Sequence, residues 1–188
     1  SCIMGMAKNP VLRAISAVYV WLIRGTPMLV QAFFVFYAIP QLVKVMTGTA
    51  FTLTPFAAGA ITLSLNAGAY ISEIFRGGIQ AVPRGQTEAA RSLGLSSAKT
   101  MLRVVLPQAF KIAIPSLVNQ FIITVKDTSI LSVIGLAEVV NRAKQYVGST
   151  FSFFATYVYV GALYLVVISL LMVLSRRIEK RMSYDRKG

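Results

Sequence analysis

Long uncharged runs alternate with short charged segments along this chain. Three of them hold 19, 28 and 31 consecutive residues without an acidic or basic side chain. An α-helix crosses a bilayer core of about 30 Å with about 20 apolar residues. These runs predict spanning helices that include residues 28–39, 53–71 and 151–174. Pro27 and Pro55 stand where the first two begin, a position that tolerates the missing N–H.

A fourth apolar stretch is interrupted by charge. Residues 112–125 are uncharged and include Pro115, but the run Lys126-Asp127-Thr128-Ser129 follows before apolar residues resume at 130–137. Charged side chains at membrane depth are tolerated only against protein or water. The pattern therefore predicts a helix that breaks, or ends early, at residues 126–129.

The segment 9–24 is too short and too charged to span a membrane. Its apolar side chains recur at helical spacing: Leu12, Ile15, Val18, Tyr19 and Leu22. Tyr19 and Trp21 are expected to be interfacial aromatics. This spacing predicts an amphipathic helix that lies on the cytoplasmic membrane surface.

Composition supports a membrane protein. The 188 residues are 56% hydrophobic and 13% charged, with a net charge of +13, whereas soluble domains carry about 25% charged residues. We therefore expect one integral membrane domain over residues 1–188. With one cysteine, no histidine and no GxxxxGK[ST] loop, an internal disulfide and ATP hydrolysis by this chain alone are not expected.

The basic residues predict the orientation. Fifteen of the 19 lie before the first span, between the second and the interrupted one, or after the last. Four spans place these segments on one side, which the positive-inside rule makes cytoplasmic, together with the C-terminus. A nucleic-acid binder would gather its basic residues in one soluble patch, so their division disfavours that function and predicts no nucleic-acid partner.

The cytoplasmic loop 76–107 contains two short helical patterns. The first follows Pro83 and should end at Gly94, and the second should be capped by Ser96 or Ser97 and run to Val105. Such a hairpin fits a helix that docks into a groove of a partner protein. A solvated loop helix is the alternative, and the physical pattern alone leaves both open.

Fixed spacings in this loop resemble the EAA loop of ABC importer permeases. The matching positions are Glu88-Ala89-Ala90, Gly94, Val104 (where the family has Ile) and Leu106-Pro107. Three further segments resemble the polar amino-acid permeases of the histidine, glutamine, arginine and cystine group. They are Arg24-Gly25-Thr26-Pro27 with Gln31, Glu73-Ile74-Phe75-Arg76-Gly77-Gly78, and residues 126–129. The resemblance covers essentially the whole chain.

The resemblance implies an all-α integral membrane protein with the type I ABC importer permease fold. Five core helices are implied, and four of them are visible in the sequence. The helix that is not visible would be the first, ending near residues 1–7. It implies a non-catalytic, multi-pass subunit of the bacterial inner membrane, surrounded by lipid, that imports polar amino acids by alternating access. The implied partners are a second permease subunit, identical or paralogous, a cytoplasmic ATPase dimer that binds ATP and Mg²⁺, and an extracytoplasmic amino-acid-binding protein. No cofactor is implied in this chain.

The resemblance also implies the coupling residues. Contact with the ATPase is assigned to Glu88, Ala89, Ala90 and Gly94, with support from Arg84, Gly85 and Arg91.

Polar residues inside the spans are the candidates for a substrate pathway, because an amino acid needs both donors and acceptors. They are Lys126, Asp127, Thr128, Ser129, Asn66, Ser64, Gln31 and Gln120.

Several of these polar residues have structural alternatives. Lys126 and Asp127 could neutralise each other at a subunit contact, and Asn66 could serve helix packing. Gln31 could support the corner at residues 24–27. Outside the candidate set, an ion pair with Arg76 is favoured for Glu73. A solvated charge at the outer rim, with contact to the binding protein possible, is expected for Glu138, and an interfacial aromatic belt for residues 151–159.

A second function remains open on the residues alone. A secondary transporter or channel that needs no ATPase could use the interruption at Lys126 and Asp127 for ion coupling.

Overall fold

The computed structural model describes the backbone of residues 9–184 and the side chains of residues 9–177. Within these residues every regular element is a helix. The expected end of an earlier helix at residues 1–7 lies outside the described part of the chain, as do several of the terminal basic residues.

Helix α1 covers Pro10–Gly25. The Asn9 side chain caps it by accepting a hydrogen bond from the Val11 N–H at 2.9 Å. Ser16 and Ile23 are buried and Tyr19 and Val20 are half-buried, whereas the other apolar side chains of the helix, Trp21 among them, are exposed. The predicted amphipathic helix is therefore present, and its place on the membrane surface stays a prediction.

The first span is a continuous helix over Met28–Thr47. It consists of α2 (Met28–Phe33), a π-helical segment (Phe34–Ala38) and α3 (Ile39–Thr47). Pro27 precedes its first turn, as predicted. The helix ends at Gly48, whose φ of 69° is left-handed.

Prolines explain where the π-helical segments lie. The N–H of Ile39 donates to the Phe34 carbonyl, five residues back, and Pro40 follows at once. A proline ring inside an α-helix clashes with the carbonyl four residues earlier, and a wider π turn relieves that clash. A second π segment (Met101–Val105) precedes Pro107 in the same way.

Helix α4 covers Pro55–Gln80, with Pro55 at its first position. Its neighbours include α1, α2 and the later helix α7 (Leu106–Asp127). Glycines allow the close approach to α7: a Cβ added at Gly78 would lie 2.8 Å from the Ala109 carbonyl oxygen. Helix α4 therefore packs against several other elements.

Three helical segments of the described chain are long and apolar enough to cross a membrane: Met28–Thr47, Ser97–Ile134 and Phe153–Arg177. Helix α4, which contains all but the first two residues of the predicted span 53–71, has 26 residues but is not among them. Its composition is more polar because Thr62, Asn66 and Ser72 are buried against other helices. The interrupted stretch, by contrast, belongs to the longest apolar segment.

The predicted break at residues 126–129 is a change of helix type. Helix α7 ends at Asp127, and a 3₁₀-helix (Thr128–Ile134) continues without a gap to Gly135, where φ is 83°. Pro115 lies within α7 without ending it. The α-helix therefore ends at Asp127, within the predicted segment, but the chain direction continues because i→i+3 bonding follows directly.

Two further helices complete the described chain. Helix α8 covers Val139–Thr150, and α9 covers Phe153–Tyr184. Helix α9 packs on α7 and α8. The aromatic residues at 151, 153, 154, 157 and 159 are all exposed, which is compatible with the predicted interfacial belt.

Candidate functional site

The loop between α4 and α7 forms a helical hairpin. Its first arm, α5 (Arg84–Ser92), ends at Gly94, where φ is 81°. The Leu95 N–H donates to the Ala90 carbonyl at 3.1 Å, which closes the turn in the way that left-handed glycine caps do. The predicted stop at Gly94 is confirmed.

The second arm starts at Ser96, whose hydroxyl oxygen accepts from the Lys99 N–H at 3.4 Å. Helix α6 (Ser97–Thr100) passes directly through the π segment into α7. The sequence predicted a helix that ends at Val105 and a new one at Pro107. The arm is instead continuous with the span, because the π segment accommodates the proline.

Within helix α5 only Ala90 is buried, and every other residue is exposed. Gly85, Glu88, Ala89 and Ser92 recur at the spacing of a single helical face, which is free for a partner. Ala90, which the resemblance assigns to contact with the ATPase, is only 5% exposed and faces the rest of the chain. Its part in coupling stays a prediction.

The remaining coupling candidates lie around this face. Arg91 Nη1 donates to the Leu95 carbonyl at 3.1 Å and so braces the turn. Arg84 and Arg91 line a cavity on the inner side of the hairpin. Gly94 holds the turn and is exposed.

Glu73 joins α1 to α4 at the base of the hairpin. It accepts from Arg76 at 2.6 Å, as predicted, and from Arg24 at 3.2 Å, which the sequence did not indicate. The Arg24 guanidinium also lies 5.4 Å from the centre of the Tyr70 ring. Each ion pair is partly exposed and contributes at most about 1 kcal/mol.

Gln31 and Asn66 form a polar network behind the corner of α1 and α2. The Gln31 amide donates to the Ile23 carbonyl at 2.7 Å and to the Thr26 carbonyl at 3.0 Å, and its oxygen accepts from Asn66 at 3.1 Å. Both predicted structural contributions, corner support by Gln31 and packing by Asn66, are visible in these contacts. The network also brings together two of the substrate-pathway candidates.

The segment 126–129 satisfies its hydroxyls internally. Thr128 donates to the Val125 carbonyl at 2.8 Å and Ser129 to the Lys126 carbonyl at 2.7 Å. Asp127 is partly buried and Lys126 is exposed. Both ion pairs of residues 9–177 involve Glu73, so Lys126 and Asp127 form no direct ion pair there, and their neutralisation at a subunit contact stays a prediction.

The last two candidates differ in exposure. Ser64 is exposed on α4, whereas Gln120 is only 6% exposed on α7. Glu138 differs from its expectation as a solvated rim charge. Its carboxylate accepts from the N–H groups of Val140 and Asn141 and caps α8, because a carboxylate satisfies N–H groups that a helix start leaves open.

Two tyrosines near these residues were missed. The Tyr19 hydroxyl donates to the Leu65 carbonyl at 2.6 Å and attaches α1 to α4. The Tyr164 hydroxyl interacts with side chains of Thr128, Ser129 and Glu138. Helical spacing identified Tyr19 only as an interfacial aromatic, and no sequence pattern signals a contact made across 46 residues.

The described residues contain no group of three acidic, histidine or cysteine side chains that could hold a metal ion. The chain combines apolar candidate spans, buried polar residues between them and a projecting hairpin with a free face. These features define a membrane-embedded transport protein.

The chain belongs to the family of binding-protein-dependent transport system inner membrane components, whose profile matches residues 1–184. It is 41% identical to the L-cystine transport system permease protein TcyB of Bacillus subtilis (strain 168), over 94% of this chain and 73% of that protein. It is 37% identical to the glutamine transport system permease protein GlnP of Escherichia coli (strain K12), over 89% and 74%.

A solved structure agrees with this assignment. The crystal structure of an amino acid ABC transporter with histidines shares 36% identity and a TM-score of 0.89, over 96% of this chain and 81% of that one. The chain is therefore a permease subunit of an ABC importer, and it is not the ATP-hydrolysing chain. The predicted family and fold are confirmed, and the alternative of an ATPase-independent transporter or channel gains no support.

Proposed function

We propose that this chain imports a polar amino acid across the bacterial inner membrane, with its C-terminus in the cytoplasm. Relatives named for cystine, glutamine and arginine transport support the substrate class. The basic segments on one side of the predicted spans support the orientation. The proposed assembly contains a second permease subunit, an ATPase dimer that binds ATP and Mg²⁺, and an extracytoplasmic amino-acid-binding protein.

Coupling rests on the free face of α5. Glu88 supplies a charge, and Gly85 and Ala89 leave room for close approach of the ATPase. Ala90, Gly94 and Arg91 hold that face in place from within the hairpin, and Arg84 lies at its start. The exposure of Gly85, Glu88 and Ala89 on one side of a helix in which only Ala90 is buried is the observation that supports this assignment.

The two arms of the hairpin are connected to α4 and α7, the helices that carry most of the substrate-pathway candidates. Only three residues separate α4 from α5, and α6 continues into α7. A displacement of α5 by the ATPase would therefore move α4 and α7 relative to each other. Such a rigid-body movement is the physical form that alternating access takes here.

The proposed substrate pathway uses two polar sites. One is the pair Gln31 and Asn66, with Ser64 nearby in sequence on α4. The other is the change of helix type at residues 126–129. Gln120 lies on α7, the helix that ends at this change. Asp127 would balance the substrate ammonium group, while the amides and hydroxyls supply neutral hydrogen bonds.

Docking is tested by enlarging the free face. We expect Ala89→Leu to reduce copurification of the ATPase subunit and transport together, because the added atoms hold the partner away. Ala98→Leu is the matched control, since Ala98 is also an exposed helical alanine of the hairpin but lies outside the face. Equal retention of the ATPase by both variants would contradict the assignment.

The substrate is tested separately. The permease, ATPase and binding protein are reconstituted, and a panel of amino acids is screened for stimulated ATP hydrolysis. Stimulation by a polar amino acid is the expected result, and stimulation by none of the panel would contradict the proposed substrate class.

A further inference from the structure

The inner side of the hairpin borders an open cavity that is lined by two residues of the coupling assignment, Arg84 and Arg91. Its volume is about 680 Å³, which lies within the range of pockets that hold small ligands. It is bounded by the last turn of α4, by α5 and α6, and by the π segment before α7. It therefore lies where the hairpin meets the ends of two long helices.

The lining of this cavity is positively charged. Arg84 and Arg91 both line it, and no carboxylate does. The two ion pairs of residues 9–177 both belong to Glu73, so neither arginine is neutralised by an acidic side chain there. Guanidinium groups have a planar set of donors that matches the oxygens of a phosphate.

A residue with a buried hydroxyl belongs to the wall of this cavity. Thr100 lines the cavity, is 2% exposed, and its Oγ1 has no hydrogen-bond partner in the described structure. A buried polar atom without a partner costs free energy, so such an atom at a cavity wall indicates a missing ligand. Together with two arginines, a hydroxyl that can donate points to an oxyanion.

The remaining wall combines the polar side chains of Gln80, Thr87 and Ser97 with apolar ones. Ile79, Val82, Met101 and Val105 supply aliphatic side chains. The 26 residues of α4 are about 39 Å long at 1.5 Å per residue, so its last turn passes beyond a hydrocarbon core of about 30 Å. A free cytoplasmic anion has no use for an aliphatic wall, whereas a phospholipid does.

We propose that this cavity binds the phosphate group of an anionic phospholipid from the cytoplasmic leaflet. Arg84 and Arg91 are its counter-ions, Thr100 donates a hydrogen bond, and the aliphatic wall receives the glycerol and first methylene groups. Basic pockets of membrane proteins on the cytoplasmic side take such headgroups. Bound lipid would brace α5 against α6 and make coupling depend on anionic lipid. The inference rests on the proposed cytoplasmic position of the hairpin.

The test uses the assembled importer in nanodiscs of phosphatidylcholine, with and without phosphatidylglycerol. Bound phosphatidylglycerol is counted by native mass spectrometry, independently of transport. Thr100→Val keeps the shape of the side chain and removes only the hydroxyl. We expect it to weaken phosphatidylglycerol binding about tenfold, as loss of a hydrogen bond to a charged group does.

The double variant Arg84→Gln with Arg91→Gln should abolish specific binding. Arg103→Gln is the matched control, since Arg103 is an exposed arginine of the same hairpin outside the cavity lining. Unchanged phosphatidylglycerol binding by Thr100→Val and by the double variant would overturn the proposal.

Two other outcomes separate the possible sources of the anion. Displacement of phosphatidylglycerol by millimolar inorganic phosphate would show a soluble-anion site and overturn the assignment to lipid. Loss of the ATPase subunit from the double variant with unchanged phosphatidylglycerol binding would assign the cavity to an acidic side chain of the ATPase, and would equally overturn it. Failure of transport with lipid binding intact would bear on the proposed function alone.

Discussion

A single methyl group at Gly78 should separate the two helices that carry the coupling hairpin. The Cβ of Gly78→Ala would lie 2.8 Å from the Ala109 carbonyl oxygen and 3.3 Å from the Ala113 Cβ. Carbon and oxygen atoms approach comfortably at about 3.3–3.6 Å. The carbonyl belongs to the backbone of α7 and cannot rotate away, so α4 and α7 must move apart by about 0.5 Å.

The adjacent glycine isolates the cost of this clash. Gly77 lies in the same helix, and a Cβ there would meet nothing within 4 Å. Gly77→Ala should gain about 1 kcal/mol of helix propensity. Gly78→Ala has the same gain but adds an overpacking cost of about 1–3 kcal/mol. The difference between the two variants should therefore be about 1–3 kcal/mol.

Thermal unfolding of the purified permease in detergent measures this difference. For a chain of this size 1 kcal/mol corresponds to about 2–4 °C in Tm, so Gly78→Ala should melt several degrees below Gly77→Ala. Transport should fall in Gly78→Ala as well, because the hairpin arms change their separation. Equal melting temperatures of the two alanine variants would refute close packing of α4 on α7 at this point.

Three further predictions concern contacts that the sequence did not reveal or only partly indicated. Tyr19→Phe removes the hydrogen bond to the Leu65 carbonyl and should cost about 1 kcal/mol in unfolding experiments. Burial raises the pKa of Tyr19 above its ordinary value of 10.0, so the folded state favours the neutral hydroxyl. The contribution of Tyr19 to the free energy of unfolding is therefore complete below pH 10 and declines as pH rises through the folded-state pKa. A parallel decline of stability at alkaline pH in wild type and Tyr19→Phe would contradict this. A double-mutant cycle of Gln31→Ala and Asn66→Ala should give a coupling energy of about 1 kcal/mol, and strict additivity would refute their hydrogen bond. Gly94→Val should disrupt the turn after α5 more than Gly94→Asn, because asparagine tolerates the left-handed conformation. Hydrogen exchange of the Leu95 amide, which donates to the Ala90 carbonyl, measures the difference. Equal exchange rates in the two variants would contradict the prediction.

The position of α4 explains its composition. A helix that contacts α1, α2 and α7 faces other helices more than lipid. Buried Thr62 donates to the Ala58 carbonyl of the same helix, and buried Asn66 donates to Gln31 of α2. Small residues then contribute more than large apolar ones, because they let backbones approach. The same feature lowers the apolar signal of a helix that is long enough to cross the bilayer.

The sequence was sufficient where one local rule decides the outcome. Charge-free length identified Met28–Thr47 and the segment that becomes α9, because lipid requires apolar side chains. The hairpin turn followed from Gly94, since only glycine adopts positive φ without cost. Family membership followed from the spacing of residues 88–107, which needs no knowledge of contacts.

Tertiary structure decided what depends on distant partners. Burial of Ala90, the pairing of Gln31 with Asn66 and the attachment of Tyr19 to α4 each depend on how helices rotate against one another. Local patterns carry no record of that rotation. The unpaired Thr100 hydroxyl became visible only when α4, α5 and α6 met around one cavity, because an unsatisfied group exists only once water has been excluded.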